Sequence, residues 1–226
     1  MLIHDMSLQK LHVVLCVDRA GLVGSDGETH QGLFDISYLG TIPGMTLMCP
    51  ASFAELHDML GSALHDVAGP VAVRYPRGGE GRYTDCAMGA ETVLREGGDI
   101  SIVCYGTMIN EALDAADKLA AQGISAEIIK LGIVFPNRYE LCRSSAKKTG
   151  RLLIAEEVCA AGCIGSRILS ACMENRIYPK AAVLLNLGDG IVAHGTVDEL
   201  RHDAGIDADG IVRTAKDMCG CGAEEA

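Results

Sequence analysis

Short apolar runs alternate along this chain with longer stretches in which apolar residues recur every three or four positions. His12-Val-Val-Leu-Cys-Val17, Met45-Thr-Leu-Met-Cys49, Val71-Ala-Val-Arg-Tyr75, Glu91 to Leu94, Ile100 to Tyr105, Ala126 to Leu131, Arg151 to Glu156 and Ala181 to Leu187 read as strands. Between them, Ser52-Phe-Ala-Glu55 has the form of a capping box. It opens a helix whose core face runs Phe53, Leu56, Met59, Leu60, Ala63, Leu64, Val67. Thr107 to Gln122 reads as an alanine-rich helix closed by Gly123, and Ile164, Ile168, Leu169, Cys172 and Met173 share one face of another. Thr196-Val-Asp-Glu199 is a second capping box, and Ile211, Val212 and Ala215 suit a last helix. Leu2, Ile3 and Met6 also stand at helical spacing. Strands alternating with helices imply an α/β fold with a mostly parallel sheet and right-handed crossovers. The pattern is interrupted by a polar linker from Pro76 to about Asp85, so the sequence divides near residue 85.

Charge narrows the partners. Thirty acidic side chains against 19 basic ones give a formal charge of −11 over 226 residues. Such a chain repels nucleic-acid backbones and anionic lipid surfaces, and any phosphate it handles must be met by local arginines. No apolar run approaches the ~20 residues of a membrane helix, and Met1 opens onto no signal pattern, so a cytoplasmic protein is expected. Several of the ten cysteines fall inside apolar strands or helices, where a reduced thiol acts as a small hydrophobe. Cys219-Gly-Cys221 supplies half of a zinc set with no histidine after it, so 219–226 reads as a flexible tail rather than a metal site.

Function concentrates in the loop that follows the first strand, Asp18-Arg-Ala-Gly-Leu-Val-Gly-Ser-Asp-Gly-Glu-Thr-His-Gln-Gly-Leu-Phe34. Loops leaving the ends of buried strands are where open α/β sheets place their ligands. Gly21, Gly24, Gly27 and Gly32 let backbone amides come close to a ligand, while Arg19, Asp26, Glu28 and His30 add an anion donor, two carboxylates and a group titrating near neutrality. The alternative is a solvated turn, polar because loops are polar.

The wording of that loop, with Phe34-Asp-Ile-Ser-Tyr-Leu39, Ile42-Pro43, Met48-Cys-Pro50 and Val73-Arg-Tyr-Pro-Arg-Gly78, resembles the 1-deoxy-D-xylulose-5-phosphate synthase family, which is transketolase-like. The resemblance extends more loosely to about residue 215. It implies a partial pyrimidine-binding domain over 1–85, truncated at its start, followed by a transketolase C-terminal α/β domain over 86–218. It further implies a thiamine-diphosphate and Mg2+ dependent transferase that joins pyruvate, after decarboxylation, to glyceraldehyde 3-phosphate. The product serves isoprenoid and thiamine synthesis. The cofactor's ylid does the carbon chemistry while protein groups orient and charge the site.

Carried over position by position, Arg19 and Arg77 match arginines that hold the aldehyde's phosphate, a task suited to guanidinium forks. Asp26 and His30 match the family's polar contacts to substrate and intermediate, with His30 placed to move protons near pH 7. Other readings stay open. Arg77 can be a solvated linker cation, Arg19 a bridge to Asp18 or Asp26, and His30 a loop brace. Phe34, Tyr38 and Leu39 are read as core, Glu156-Glu157 as a solvated strand end that can also face a dimer partner, and His194-Gly195 as a packing turn. His4, His57, His65 and His202 stand in no catalytic arrangement.

The family's diphosphate-binding domain and its pyrimidine-activating glutamate are missing from the residues given. Gly188-Asp189-Gly190 spells the opening of the magnesium motif, but no asparagine follows Asn186 to complete the oxygen set, so it reads as a turn. The chain alone is therefore expected to be inactive, and to work as a homodimer or with a polypeptide carrying the amino-terminal half. The alternatives are a catalytically dead dimerising module and a subunit of another two-part transketolase-like enzyme.

Overall fold

The computed structural model describes residues 1–221. Of the expected tail, 222–226 lie outside the described residues, while Cys219 belongs to the last helix and Gly220 closes it in a left-handed turn.

Two sheets carry the architecture. The first contains β1 (Val14–Val17), β2 (Thr46–Met48), β3 (Val71–Arg74) and a later strand, β7 (Ile133–Phe135), in the order β1-β3-β2-β7. The second holds β4 (Glu91–Arg95), β5 (Ile100–Tyr105), β6 (Ala126–Leu131), β8 (Arg151–Ala155) and β9 (Ala181–Leu185), in the order β4-β6-β5-β8-β9. Most pairings are parallel, as the alternating pattern leads one to expect: β1 with β3, β2 with β3, β5 with β6, β5 with β8 and β8 with β9. Two pairs depart from that expectation: β4 lies antiparallel on β6, and β7 antiparallel on β2. β7 follows β6 after Gly132 alone, so the apolar pattern gives it no boundary of its own. It matters because it carries the chain of the second half back into the first sheet.

The helices are α1 (Asp35–Leu39), α2 (Phe53–His65), α3 (Met108–Ala120), α4 (Glu140–Thr149), α5 (Ile164–Glu174), α6 (Val197–Ala204) and α7 (Ala208–Cys219). The capping box at Thr196 forms in full, and Thr196 Oγ1 accepts the Glu199 amide at 3.3 Å. At Ser52 only half of it forms. Ser52 Oγ accepts the Glu55 amide at 3.1 Å, but the Glu55 carboxylate accepts from the Ala51 amide at 2.8 Å and the Tyr83 hydroxyl at 2.7 Å. Glu55 is drawn inward by Lys130, whose Nζ lies 2.9 Å away and is itself fully buried. A buried ammonium needs a counter-charge, so α2 of the first half is tied to β6 of the second.

Helix α1 was not expected, and it overturns part of the core assignment. Leu39 is buried, but Phe34 and Tyr38 are each about half exposed, because a single turn of helix can turn only one face inward. The helix at Leu2–Ser7 is a π-turn with no buried residue. One apolar cluster, including Leu47, Ala72, Val103, Ile129, Leu131 and Ile154, runs continuously between the two sheets. Among the described residues no helix is long and apolar enough to cross a membrane.

Candidate substrate-binding site

The loop after β1 is pinned at both ends. Ala20 N donates to the Tyr75 carbonyl at 3.0 Å, and Gly21 and Gly32 exchange amide bonds at 2.9 and 2.8 Å. Two glycines are required by contact. A Cβ on Gly21 would lie 2.0 Å from Glu157 Oε2, and one on Gly24 would lie 2.8 Å from the Gly195 carbonyl oxygen. Both also have positive φ, +76° and +67°. Gln31 then ties the loop across, accepting the Val23 amide at 2.7 Å and donating to the Ala193 carbonyl at 3.4 Å. Leu22 and Leu33 pack on Leu200. The loop is therefore shaped as much by the second half of the chain as by its own residues: the Gly195 carbonyl lies against Gly24, while His194 beside it is exposed.

On this scaffold two guanidinium groups converge on one carboxylate. Arg77 Nη1 lies 2.5 Å from Asp26 Oδ2, and Arg19 Nε lies 3.4 Å from the same oxygen. Arg19 Nη1 also reaches Asp18 Oδ2 at 3.0 Å, so the bridging alternative for Arg19 is realised together with the cluster. Arg19 sits at φ +57°, a left-handed conformation that a non-glycine residue adopts at a cost, and which the flanking bonds of Ala20 and Gly21 enforce. The Arg77 hydrogen bond, helped by the Arg19 one and by both positive charges, holds the Asp26 carboxyl below its ordinary value. Both arginines remain about half exposed. His30 lies on the same loop but is exposed, and its recorded side-chain bond is to Thr29 Oγ1 at 3.1 Å. Three of the four expected residues are thus brought together, and His30 is not bonded to them.

Beneath the loop lies a layer that sequence reasoning missed. Arg74, buried, donates from Nε to Asp35 Oδ2 at 2.7 Å and from Nη2 to the Gly32 carbonyl at 3.0 Å. Burial pushes its proton affinity down, but the Asp35 charge beside it outweighs that, so the guanidinium stays charged. Cys49 shares this layer, its thiol pushed up to about 12 by burial. A charged residue closing an apolar four-residue strand was the signal available for Arg74.

Glu156 and Glu157 are not a solvated strand end: both are buried. Glu156 takes the Ile164 and Gly165 amides at 2.8 and 2.7 Å and the Tyr105 hydroxyl at 2.8 Å, and burial raises its carboxyl above the ordinary value despite those donors. Glu157 accepts from Arg201 Nε at 2.7 Å, while Arg201 Nη1 reaches Glu111 at 3.1 Å. A cleft of about 360 Å³ opens between Arg77 and this Glu157–Arg201 pair, with Thr107 and Asn110 on its wall. At the candidate magnesium turn, Asp189 Oδ1 accepts the Ala161 amide at 3.2 Å. Among the described residues no group of three or more His, Cys, Asp or Glu side chains is placed to hold a metal ion.

Comparison with known proteins shows the family of the chain. Residues 1–79 match the transketolase pyrimidine binding domain and residues 89–211, more than half of the chain, the transketolase C-terminal domain. The chain is 42% identical over 221 residues to the 1-deoxy-D-xylulose-5-phosphate synthase of Heliobacterium modesticaldum, covering 95% of this chain and 34% of that protein. It is 38% identical over 225 residues to the synthase of Chlorobium luteolum, covering 96% of this chain and 35% of that one. It therefore spans about a third of the length of these curated relatives. Among solved structures, a protein described as a split gene transketolase, inactive beta4 tetramer, superposes with a TM-score of 0.86 at 28% identity, covering 97% of this chain and 71% of that one. Taken with the two sheets and the loop between them, these matches mean that the chain belongs to the transketolase family, with 1-deoxy-D-xylulose-5-phosphate synthases among its relatives.

Proposed function

We propose that this chain is the carboxyl-terminal part of a 1-deoxy-D-xylulose-5-phosphate synthase, contributing the phosphate-binding wall of a site whose remaining walls belong to the amino-terminal portion, on the same or a separate polypeptide. The observation that carries the reading is the convergence of Arg19 and Arg77 on one oxygen of Asp26. Two forks that already share an anion can exchange it for the phosphate of glyceraldehyde 3-phosphate, whose second charge Asp26 lacks. The displaced Asp26 carboxylate is then available to accept a hydrogen bond from the aldehyde's hydroxyl. His30, exposed on the same loop, acts as the nearby proton carrier.

Thiamine diphosphate and its magnesium ion belong to the complete enzyme. Asp189 is engaged by the Ala161 amide, and we assign the diphosphate and metal ligands to the amino-terminal portion. In the same reading, residues 1–85 are the second half of the pyrimidine-binding domain and 86–218 the C-terminal domain, acting as a homodimer or with an amino-terminal partner.

The test is reconstitution. The 226-residue chain alone, supplied with pyruvate, glyceraldehyde 3-phosphate, thiamine diphosphate and Mg2+, is expected to give no product. Addition of an amino-terminal partner should restore turnover. In the reconstituted enzyme Arg77→Ala should weaken use of glyceraldehyde 3-phosphate by about 2–4 kcal/mol with little change in pyruvate binding. Equal losses for the two substrates would remove the phosphate assignment. Turnover by the chain alone would remove the shared-site reading.

A further inference from the structure

The turn before α4, together with α4 and α5, encloses a second cleft of about 500 Å³ that has no lining residue in common with the Asp26 cluster. Arg138, Arg143 and Arg167 line it. The chain has a large surplus of acid, and Arg19, Arg74, Arg77, Arg82, Arg95 and Arg201 each have a carboxylate within 4.0 Å. Among the described residues none of the three cleft arginines has one, although Glu140 and Glu174 line the same cleft.

Two of the three guanidinium groups, those of Arg143 and Arg167, are nevertheless held in place. Arg143 Nε donates to the Arg138 carbonyl at 3.1 Å. Arg167 Nη2 donates to the Gly40 carbonyl at 2.9 Å, and its guanidinium stacks 4.9 Å from the centre of the Phe135 ring. Each bond uses one of five donors, so both forks are pre-oriented with most of their N–H groups to offer.

The turn that presents them is braced. The Asn137 side chain donates to the Ile133 carbonyl at 2.9 Å and accepts the Tyr139 amide at 2.8 Å, while the Tyr139 hydroxyl donates to the Val134 carbonyl at 2.9 Å. Together they hold Tyr139 at φ +52°, a left-handed conformation costly for a bulky residue and enriched at ligand sites. The start of α4 is not itself the attraction, because Glu91 accepts the Glu140 and Cys142 amides at 2.7 and 3.0 Å. Cation character in the cleft comes from the arginines.

We propose that this cleft binds a small phosphorylated, hydroxyl-bearing metabolite, with its phosphate on the guanidinium forks and its hydroxyls toward Glu140, Glu174 and Ser170. Three guanidinium groups against two carboxylates leave one formal positive charge. That balance favours an anion carrying neutral hydrogen-bond donors over a bare polyanion, and the volume is that of a small-molecule site.

Calorimetric titration of the full chain with ribose 5-phosphate at low ionic strength, beside ribose and inorganic phosphate, tests this. The background is Arg19→Gln with Arg77→Gln, which removes the first phosphate site, so the outcome is independent of the function proposed above. Ribose 5-phosphate is expected to bind in that background and ribose is not. Adding Arg143→Gln and Arg167→Gln should weaken binding at least tenfold. Arg138→Gln, whose side chain is exposed and takes part in no recorded side-chain bond, should weaken it several-fold and covers the case in which the Arg167 variant folds poorly. Absence of saturable binding, or undiminished affinity in the Arg138 and Arg143 variants, overturns the site. Inorganic phosphate binding as tightly as ribose 5-phosphate overturns the role given to the hydroxyls.

Discussion

Asp26 is the residue on which the first site turns, since its carboxylate lies between two arginines that would otherwise repel each other. Because Arg77 and then Arg19 hold its pKa low, the ionised form predominates in the folded loop. A carboxyl with a lowered folded pKa contributes at pH above its unfolded value and loses that contribution as pH falls through the folded one. The cluster should therefore persist through neutral pH and open only in acid below the ordinary aspartate range. Carboxyl carbon NMR of Asp26 is expected to give a midpoint below that range and to move up in Arg77→Ala; a midpoint indifferent to Arg77 would refute the pairing. Deeper in the same region, Arg74 and Asp35 are both about 6% exposed. Removing one partner strands the other as an unpaired buried charge. Asp35→Ala should cost about 3–5 kcal/mol of stability in urea unfolding, and a loss under 1 kcal/mol would mean that water reaches Arg74.

Among the elements, the loop of residues 18–32 shows how local chemistry and tertiary contact divide the work. Its glycines are legible in sequence as places where backbone comes close to something, but the something is not. At Gly21 it is the Glu157 carboxylate, 136 positions on in the chain, fixed by Arg201. Gly21→Ala should be destabilising by at least about 1–2 kcal/mol from the left-handed backbone alone, with more for the displaced Glu157. Thermal unfolding measures the first part, and weakened anion binding by the Arg19–Arg77 pair measures the shift of the loop. A variant as stable as the parent would show the loop to be free of Glu157. Helix α4 was missed for a related reason. Its mean hydropathy is low, and only four of its residues, Cys142, Ser145, Ala146 and Thr149, are buried. Two of those are polar, so no apolar stripe announces it.

On the scale of the whole molecule, the first sheet ends at β1, which among the described residues pairs on one side only, with β3. In the segment that leads into it Ile3, Leu8 and Leu11 are exposed, as is Cys16 of the strand itself. An open strand edge and exposed apolar side chains are both surfaces that other chains complete. Light scattering of the chain at low micromolar concentration is expected to report a dimer or larger species, and a clean monomer would count against a docking role for this edge. The two halves should not separate first, because Glu55 and Lys130 join them through a pair with no exposed atom and the apolar core passes between them.

The alternation of strand and helix, the caps at Ser52 and Thr196, and the loop carrying Arg19, Asp26 and His30 were all determined by local sequence, because propensity, periodicity and glycine placement act over a few residues. The bridges of Arg19 to Asp18 and Asp26 were within reach of the local sequence, but which distant charges meet was decided by the tertiary structure alone. Arg77 reaches Asp26 across 51 positions, Glu157 props Gly21, and β7 turns back into the first sheet, none of which any periodicity encodes. The same holds for exposure: Glu156 and Phe34 exchanged their expected places because burial depends on what packs above a residue, and that belongs to distant segments of the chain.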